Sequence, residues 1–444
     1  TFFLSKVENK NWQVILFFTY ICVMTEEFLH YIWQYRLYSP SLILRSGEKV
    51  EVLIPGIHNS DSGPDFFNAR IRIGETTWAG NIEIHIQSSD WKRHNHQHDM
   101  SYDNVILHVV WRHDTDIFRN DGSPIPTLEL DGLYNEHAWK NYLGFMTSQK
   151  WIPCDTMIAG VDPFIRNAWL DRILVERLER KALQVEHILS LTNNDWAHTF
   201  YRLLARNMGF KLNNQAFEML AQSLPYQFLA KHSDDLFQIE AMVFGQAGLL
   251  GDTFSDEYPL KLKKEYAFLQ KKFELTPVDA HLWRFMRLHP GNFPTLRLAQ
   301  FASIIHHSGS IIGGLFDSND VNSYRKLFSA EASEYWNTHY TFDKASASRR
   351  KTLGQSSVDL LIINLVAPIL MAYGRRKSDS GITEKPVDML MQLKGEDNTI
   401  IRNWEKLGVD VSNAAATQAL LELKTNYCDA KKCLTCRIGN ELLK

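Results

Sequence analysis

The chain has 444 residues, 45% of them hydrophobic and 22% charged, with a net charge of −3. That composition is ordinary for a globular protein and excludes a disordered tail, a collagen-like repeat and a multi-span membrane protein. Nor does it carry the basic excess common in nucleic-acid-binding domains: residues 1–150 hold 13 Lys+Arg against 18 Asp+Glu.

In chain order, the first feature is an apolar run over 14–23. It is shorter than the roughly 18 residues that a membrane span needs. We expect no membrane span and read 1–23 as an extension, because a new helical pattern starts after Met24. Thr25 is a suitable N-cap for a helix over 25–37, with Glu26 and Glu27 in its first turn. Four strand-like runs follow, at 48–54, 66–73, 77–86 and 104–111, and a fifth is expected at 124–130. Between the third and fourth lies a polar, histidine-rich stretch (88–103) that can form a short helix. From Pro163 onward helical periodicity dominates, with runs that include 196–208, 278–287, 356–373 and 413–426.

These elements predict an α+β protein. A mixed α/β domain over 24–155 precedes a larger all-α domain over 156–444, which ends in a cysteine cluster.

Nine of 17 histidines fall between His30 and His137, and three of five cysteines crowd the C-terminus. An odd, sparse set of cysteines suits a reducing, cytoplasmic compartment better than a disulfide framework. No Walker A, dinucleotide-binding glycine motif, nucleophile elbow or HExxH is present.

The densest chemistry is Gly63-Pro64-Asp65 followed by Glu83-Ile84-His85-Ile86-Gln87. Period-2 geometry places Glu83, His85 and Gln87 on one face of a strand, opposite Ile82, Ile84 and Ile86. Asp65, at the mouth of the neighbouring strand, can converge with Glu83 on one divalent cation. Two carboxylates suit Mg2+ or Mn2+, and His85, with Gln87, would position or activate water. A second cluster is Asp90, His94, His96, His98 and Asp99. On a helix His94 and His98 would share a face and suit zinc. Near the C-terminus, Cys428, Cys433 and Cys436 have the spacing C-x4-C-x2-C. With Cys154 they complete a four-thiolate set for zinc first and a four-iron, four-sulfur cluster second.

The Pro64-Asp65 and Glu83-Ile84-His85 pair resembles the PD-(D/E)XK phosphodiesterase superfamily, whose core runs helix, three strands, helix, strand. The resemblance covers roughly residues 25–130 and implies a restriction-endonuclease-like core acting on DNA or RNA. It departs from the pattern where His85 replaces the family's lysine. The competing expectation is a non-catalytic nucleic-acid- or protein-binding scaffold on a degenerate core of the same kind. Over a longer span, the stretches FLHYIWQYRLY, NSDSGPDFFNARI, WAGNIEIHIQSSDW, HQHDMSYDNVILHVVW, NFPTLRLAQFA and YCDAKKCLTCRIG resemble a bacterial family of unknown function, domain of unknown function 2851. That likeness implies no particular activity.

Overall fold

The computed structural model describes residues 24–318 and 320–444, so the apolar run 14–23 and Cys22 lie outside it. The chain separates into two units. One runs up to Trp169 and also contains Leu423–Lys444; the other is Leu170–Glu422. This differs from the expected division at 155/156. The cysteine-bearing C-terminus belongs with the N-terminal unit, not with the helical unit that precedes it in sequence.

In the N-terminal unit, α1 (Glu26–Tyr35) starts where expected, with Thr25 Oγ1 accepting from the Phe28 amide at 3.3 Å. It buries Phe28, Leu29, Tyr31, Ile32 and Trp33, and stops at Arg36, whose backbone is left-handed (φ 53°). The strands are β1 (Leu42–Ile43), β2 (Lys49–Ile54), β3 (Ile57–His58), β4 (Phe66–Ile73), β5 (Thr76–Gln87), β6 (Val105–Arg112) and β7 (Thr127–Glu129). They form one sheet in the order β1-β2-β4-β5-β6-β7, with β3 paired on β4. β1, β2, β4 and β5 pair antiparallel, whereas β5, β6 and β7 are parallel.

The side-chain pattern explains this layout. β4 alternates, burying Phe66, Ala69, Ile71 and Ile73. Its register on β5 shifts between Phe66 and Ala69, where Asn68 adopts φ 56°. Such a bulge re-aims the strand end that carries Asp65. β6 is buried from Val105 to Val110, as an interior strand covered on both faces should be. The parallel β5–β6 step needs a crossover. That crossover is the histidine-rich stretch, folded as one helical turn, α2 (Asp90–Arg93), and two 3-10 turns, His96–His98 and Met100–Tyr102.

The second unit is almost wholly helical. Helices at Trp196–Met208, Pro294–His306 and Thr399–Lys406 fall close to their sequence periodicity. The helix Gln355–Lys377 is long and apolar enough to cross a membrane, but 72% of its apolar window is buried within the fold, so it serves as a core helix. The expected helix at 278–287 does not form. Only a 3-10 turn, Ala280–Leu282, appears there. Its backbone groups are committed elsewhere: the Arg284 amide donates to Asn213 Oδ1 (2.8 Å) and Arg284 O accepts from Asn213 Nδ2 (3.0 Å). A small hairpin, His339–Thr341 with Lys344–Ala345, was not apparent from periodicity.

One buried carboxyl in this unit makes stability depend on pH. Glu240 is 1% exposed, and its partners are the hydroxyls of Tyr258 and Ser333. Burial pushes its carboxyl up from 4.5 to about 7. The folded state therefore holds this proton more tightly than the unfolded chain. Its contribution is complete below pH 4.5 and is lost as pH rises through 7. At 1.36 kcal/mol per unit, the loss is roughly 3 kcal/mol. Urea unfolding at both ends of that window should show this loss in the wild type and not in Glu240→Gln. An equal loss in both proteins would assign it to other groups.

Candidate metal centre

Asp65 and Glu83 come together, each tied to the other's strand. The Asp65 amide donates to Glu83 Oε2 at 3.2 Å, and the Ile84 amide donates to Asp65 Oδ2 at 2.9 Å. These reciprocal bonds hold the end of β4 against the middle of β5. Glu83 and His85 share a face of β5, as period 2 requires, and both are buried, at 4% and 2% exposure. Gln87 does not join them. It lies exposed at the strand end, and its backbone amide donates to Asp90 Oδ2 at 3.1 Å.

The crossover completes the site. α2 ends at His94, and Asn95 then takes a left-handed conformation (φ 62°) that starts the next turn at His96. This reversal aims His94 and His96 at β5, whereas the exposed His98 stays outside the cluster. The expected His94/His98 helical pair is therefore replaced by His94/His96. One ring nitrogen from each of His85, His94 and His96 lies within 4.8 Å of the other two. Three of the separations around this group, two of them to Glu83, are close to those of a metal's coordination shell. His85 Nε2 is 3.1 Å from His94 Nδ1 and 3.4 Å from Glu83 Oε1, and His96 Nε2 is 3.1 Å from that same oxygen. Tetrahedral ligands at about 2.0–2.1 Å from zinc stand about 3.3 Å apart.

Further contacts hold these rings in place. His85 Nδ1 lies 2.8 Å from His108 Nε2 in the core. Burial, then His96 and His113, depress the His108 imidazole to about 3, so it stays neutral. A neutral His108 can accept Nδ1–H from His85 and leave His85 Nε2 as a bare lone pair facing the centre, a common arrangement behind metal-bound histidines. Tyr102 stacks on His96 at 3.8 Å, and Trp91 meets both His96 and His108 edge-on. His96 Nε2 is buried yet makes no hydrogen bond of good geometry, as expected of an atom placed for a metal.

Two residues were missed from sequence. His30 on α1 places Nε2 3.3 Å from Asp65 Oδ2, with His58 Nε2 3.4 Å from its Nδ1. Burial disfavours the His30 cation, but Asp65 outweighs it and raises the pKa. Glu26, one turn earlier, is raised by burial and interacts electrostatically with His94, Asp65 and His30. The i,i+4 pair Glu26/His30 was the available signal. In Glu83, burial and then Asp65 push the carboxyl up to about 9. A cation beside Glu83 would reverse that shift.

His108 offers a test of the supporting contacts. His108→Ala should weaken zinc binding by about 10–100-fold without removing a ligand. Competition against a chromogenic chelator measures it, and an unchanged affinity would mean that His85 needs no such partner.

The cysteines lie apart from this site in sequence but in the same unit. Cys154, Cys433 and Cys436 are buried and Cys428 is half-buried, all as free thiols. Burial and mutual proximity push the Cys154 thiol up to about 12.

Comparison with curated proteins and with solved structures gives no match. A family described as a protein of unknown function (DUF2851) matches residues 26–399, from the first described helix nearly to the C-terminal cysteines. The chain belongs to that family.

Proposed function

We propose that the N-terminal unit is a metal-dependent phosphodiesterase whose cation is held by His85, His94, His96 and Glu83. The observation that carries this reading is the grouping of one ring nitrogen from each histidine within 4.8 Å of the other two, with Glu83 Oε1 3.4 Å from His85 Nε2 and 3.1 Å from His96 Nε2. With three imidazoles and one carboxylate, the set suits zinc or another first-row transition ion better than Mg2+. Asp65 would then border the centre rather than supply half of it. Phosphodiesters are proposed as substrates because the three longer strands between α1 and α2, β2, β4 and β5, followed by the parallel strand β6, support the PD-(D/E)XK likeness, as do Pro64-Asp65 and Glu83-Ile84-His85. DNA and RNA are the natural candidates.

A bound zinc would lower the pKa of a water and neutralise charge on a phosphoryl oxygen. The protein's own groups divide the remaining work. Asp65, 22% exposed beside the centre, is placed to accept a proton from water. His30, its proton held by Asp65, is placed to return one to a leaving oxygen. His94 is exposed and leaves the site open on its side.

The test uses the full chain, stripped of metal and reloaded with Zn2+, Mn2+ or Mg2+. Substrates are bis(p-nitrophenyl) phosphate, single-stranded DNA and RNA. Metal-dependent hydrolysis that falls at least about 100-fold in Asp65→Asn, with metal affinity retained, is the expected result. Zinc binding without hydrolysis of any of these would favour the non-catalytic scaffold.

A further inference from the structure

Four cysteines drawn from residues 154 and 428–436 are brought together in the N-terminal unit. Cys154 sits in a turn where its carbonyl accepts from the Met157 and Ile158 amides. The returning segment passes through a π-helical turn ending at Cys428, and Cys436 precedes the last helix, Arg437–Leu443. Independent contacts fix that return. Asn141 Nδ2 donates to Leu442 O at 3.2 Å, Tyr31 Oη donates to Asn440 O at 3.4 Å, and Lys431 Nζ donates to Met146 O. Cys428 lies within electrostatic range of the other three thiols, and Cys154 within range of Cys433 and Cys436.

Ring contacts link the same two segments: Lys424 Nζ lies 5.3 Å from the Trp151 ring centroid, and Trp169 meets Tyr427 edge-on at 5.6 Å. The chain turns sharply between Cys433 and the last helix, and Cys436 O accepts from the Asn440 amide at 2.8 Å. Gly439 permits this close turn, since a Cβ there would come within 2.2 Å of Cys433 O. Spacing separates the two metal chemistries. Tetrahedral zinc, with Zn–S near 2.3 Å, holds sulfurs about 3.8 Å apart. Among the described residues, no three of these sulfurs lie within 4.8 Å of one another. A cubane cluster, with one iron per thiolate, sets its four sulfurs further apart than a single ion does.

We propose that Cys154, Cys428, Cys433 and Cys436 hold a four-iron, four-sulfur cluster that anchors the returning C-terminal segment within the N-terminal unit. On assembly each thiol loses a proton and bonds one iron, and the iron and sulfide arrive from outside the chain.

The full-length protein, purified without oxygen, tests this directly. The expected result is about four iron and four acid-labile sulfide per chain, with a visible charge-transfer band that dithionite bleaches. Cys154→Ser and Cys433→Ser should each lose the band, while the doubly substituted His85→Ala, His96→Ala chain should keep it. One zinc per chain without sulfide would overturn the proposal, as would metal-free wild type with all five thiols reactive toward a disulfide reagent after unfolding. The wild-type measurement does not depend on any variant folding, and neither result depends on whether the histidine centre hydrolyses anything.

Discussion

Replacing His85 with alanine is expected to lower zinc affinity by more than about 100-fold, the upper range for losses caused by supporting residues alone. His85 is in contact with most of the centre. Its Nε2 faces His94 and Glu83, and its Nδ1 engages His108. Removing the ring takes away one ligand and unpairs His108 in the core. The unpaired group alone costs about 1–3 kcal/mol, so metal-free stability should drop as well. The two effects are separable. Zinc at about 100 times its dissociation constant should stabilise wild type by about 2.7 kcal/mol. The variant, at the same zinc concentration, should show almost no such gain in thermal unfolding. An equal gain in both proteins would show that zinc binds elsewhere.

Glu422→Ala in the helical unit should cost about 3–5 kcal/mol, the usual penalty for removing one member of a buried ion pair. Glu422 is 1% exposed and accepts from Arg177 Nη1 at 2.9 Å and from Arg180 Nε at 2.9 Å. Arg177 also donates to Gln418 Oε1 at 2.6 Å, and Lys181 Nζ donates to Gln418 and to Asn364. Burial, followed by the neighbouring Arg177, already lowers the Lys181 ammonium to about 7. Without Glu422, the largely buried Arg177 keeps its charge and loses its counter-ion. Adding Arg177→Met to Glu422→Ala should therefore recover much of the loss. Urea unfolding measures all three variants. A Glu422→Ala cost below about 1 kcal/mol would place this pair with exposed salt bridges.

Much of the N-terminal unit was legible because strand periodicity is short and strict. The alternation in 66–73 and 77–86 specified which faces pair, and period 2 placed Glu83 with His85 on one of them. Gln87 was assigned by the same rule and fails because β5 ends there, beyond the buried part of the sheet. The histidine-rich crossover was harder to read. Helical spacing joined His94 to His98, but one left-handed residue, Asn95, joins His94 to His96 instead. Asparagine tolerates that conformation, although its presence does not require it. His30 depends on where α1 lies against the sheet, which local pattern does not encode. In the helical unit, periodicity located most helices but failed at 278–287, where the Arg284 backbone pairs with the Asn213 side chain in place of helical partners.

The two proposed metal sites differ in how much chain must exist before each can close. Thirteen positions separate Glu83 from His96, whereas 274 separate Cys154 from Cys428. Loop-closure entropy alone makes the second roughly 3 kcal/mol costlier to bring together in an unfolded chain. During synthesis, the histidine ligands leave the ribosome together and can take up a cation while the helical unit is still being translated. The cysteine set is complete only after residue 436 emerges, so it cannot load until the whole helical unit has been translated. A ribosome-stalled chain ending near residue 400 would thus carry the first centre and lack the second.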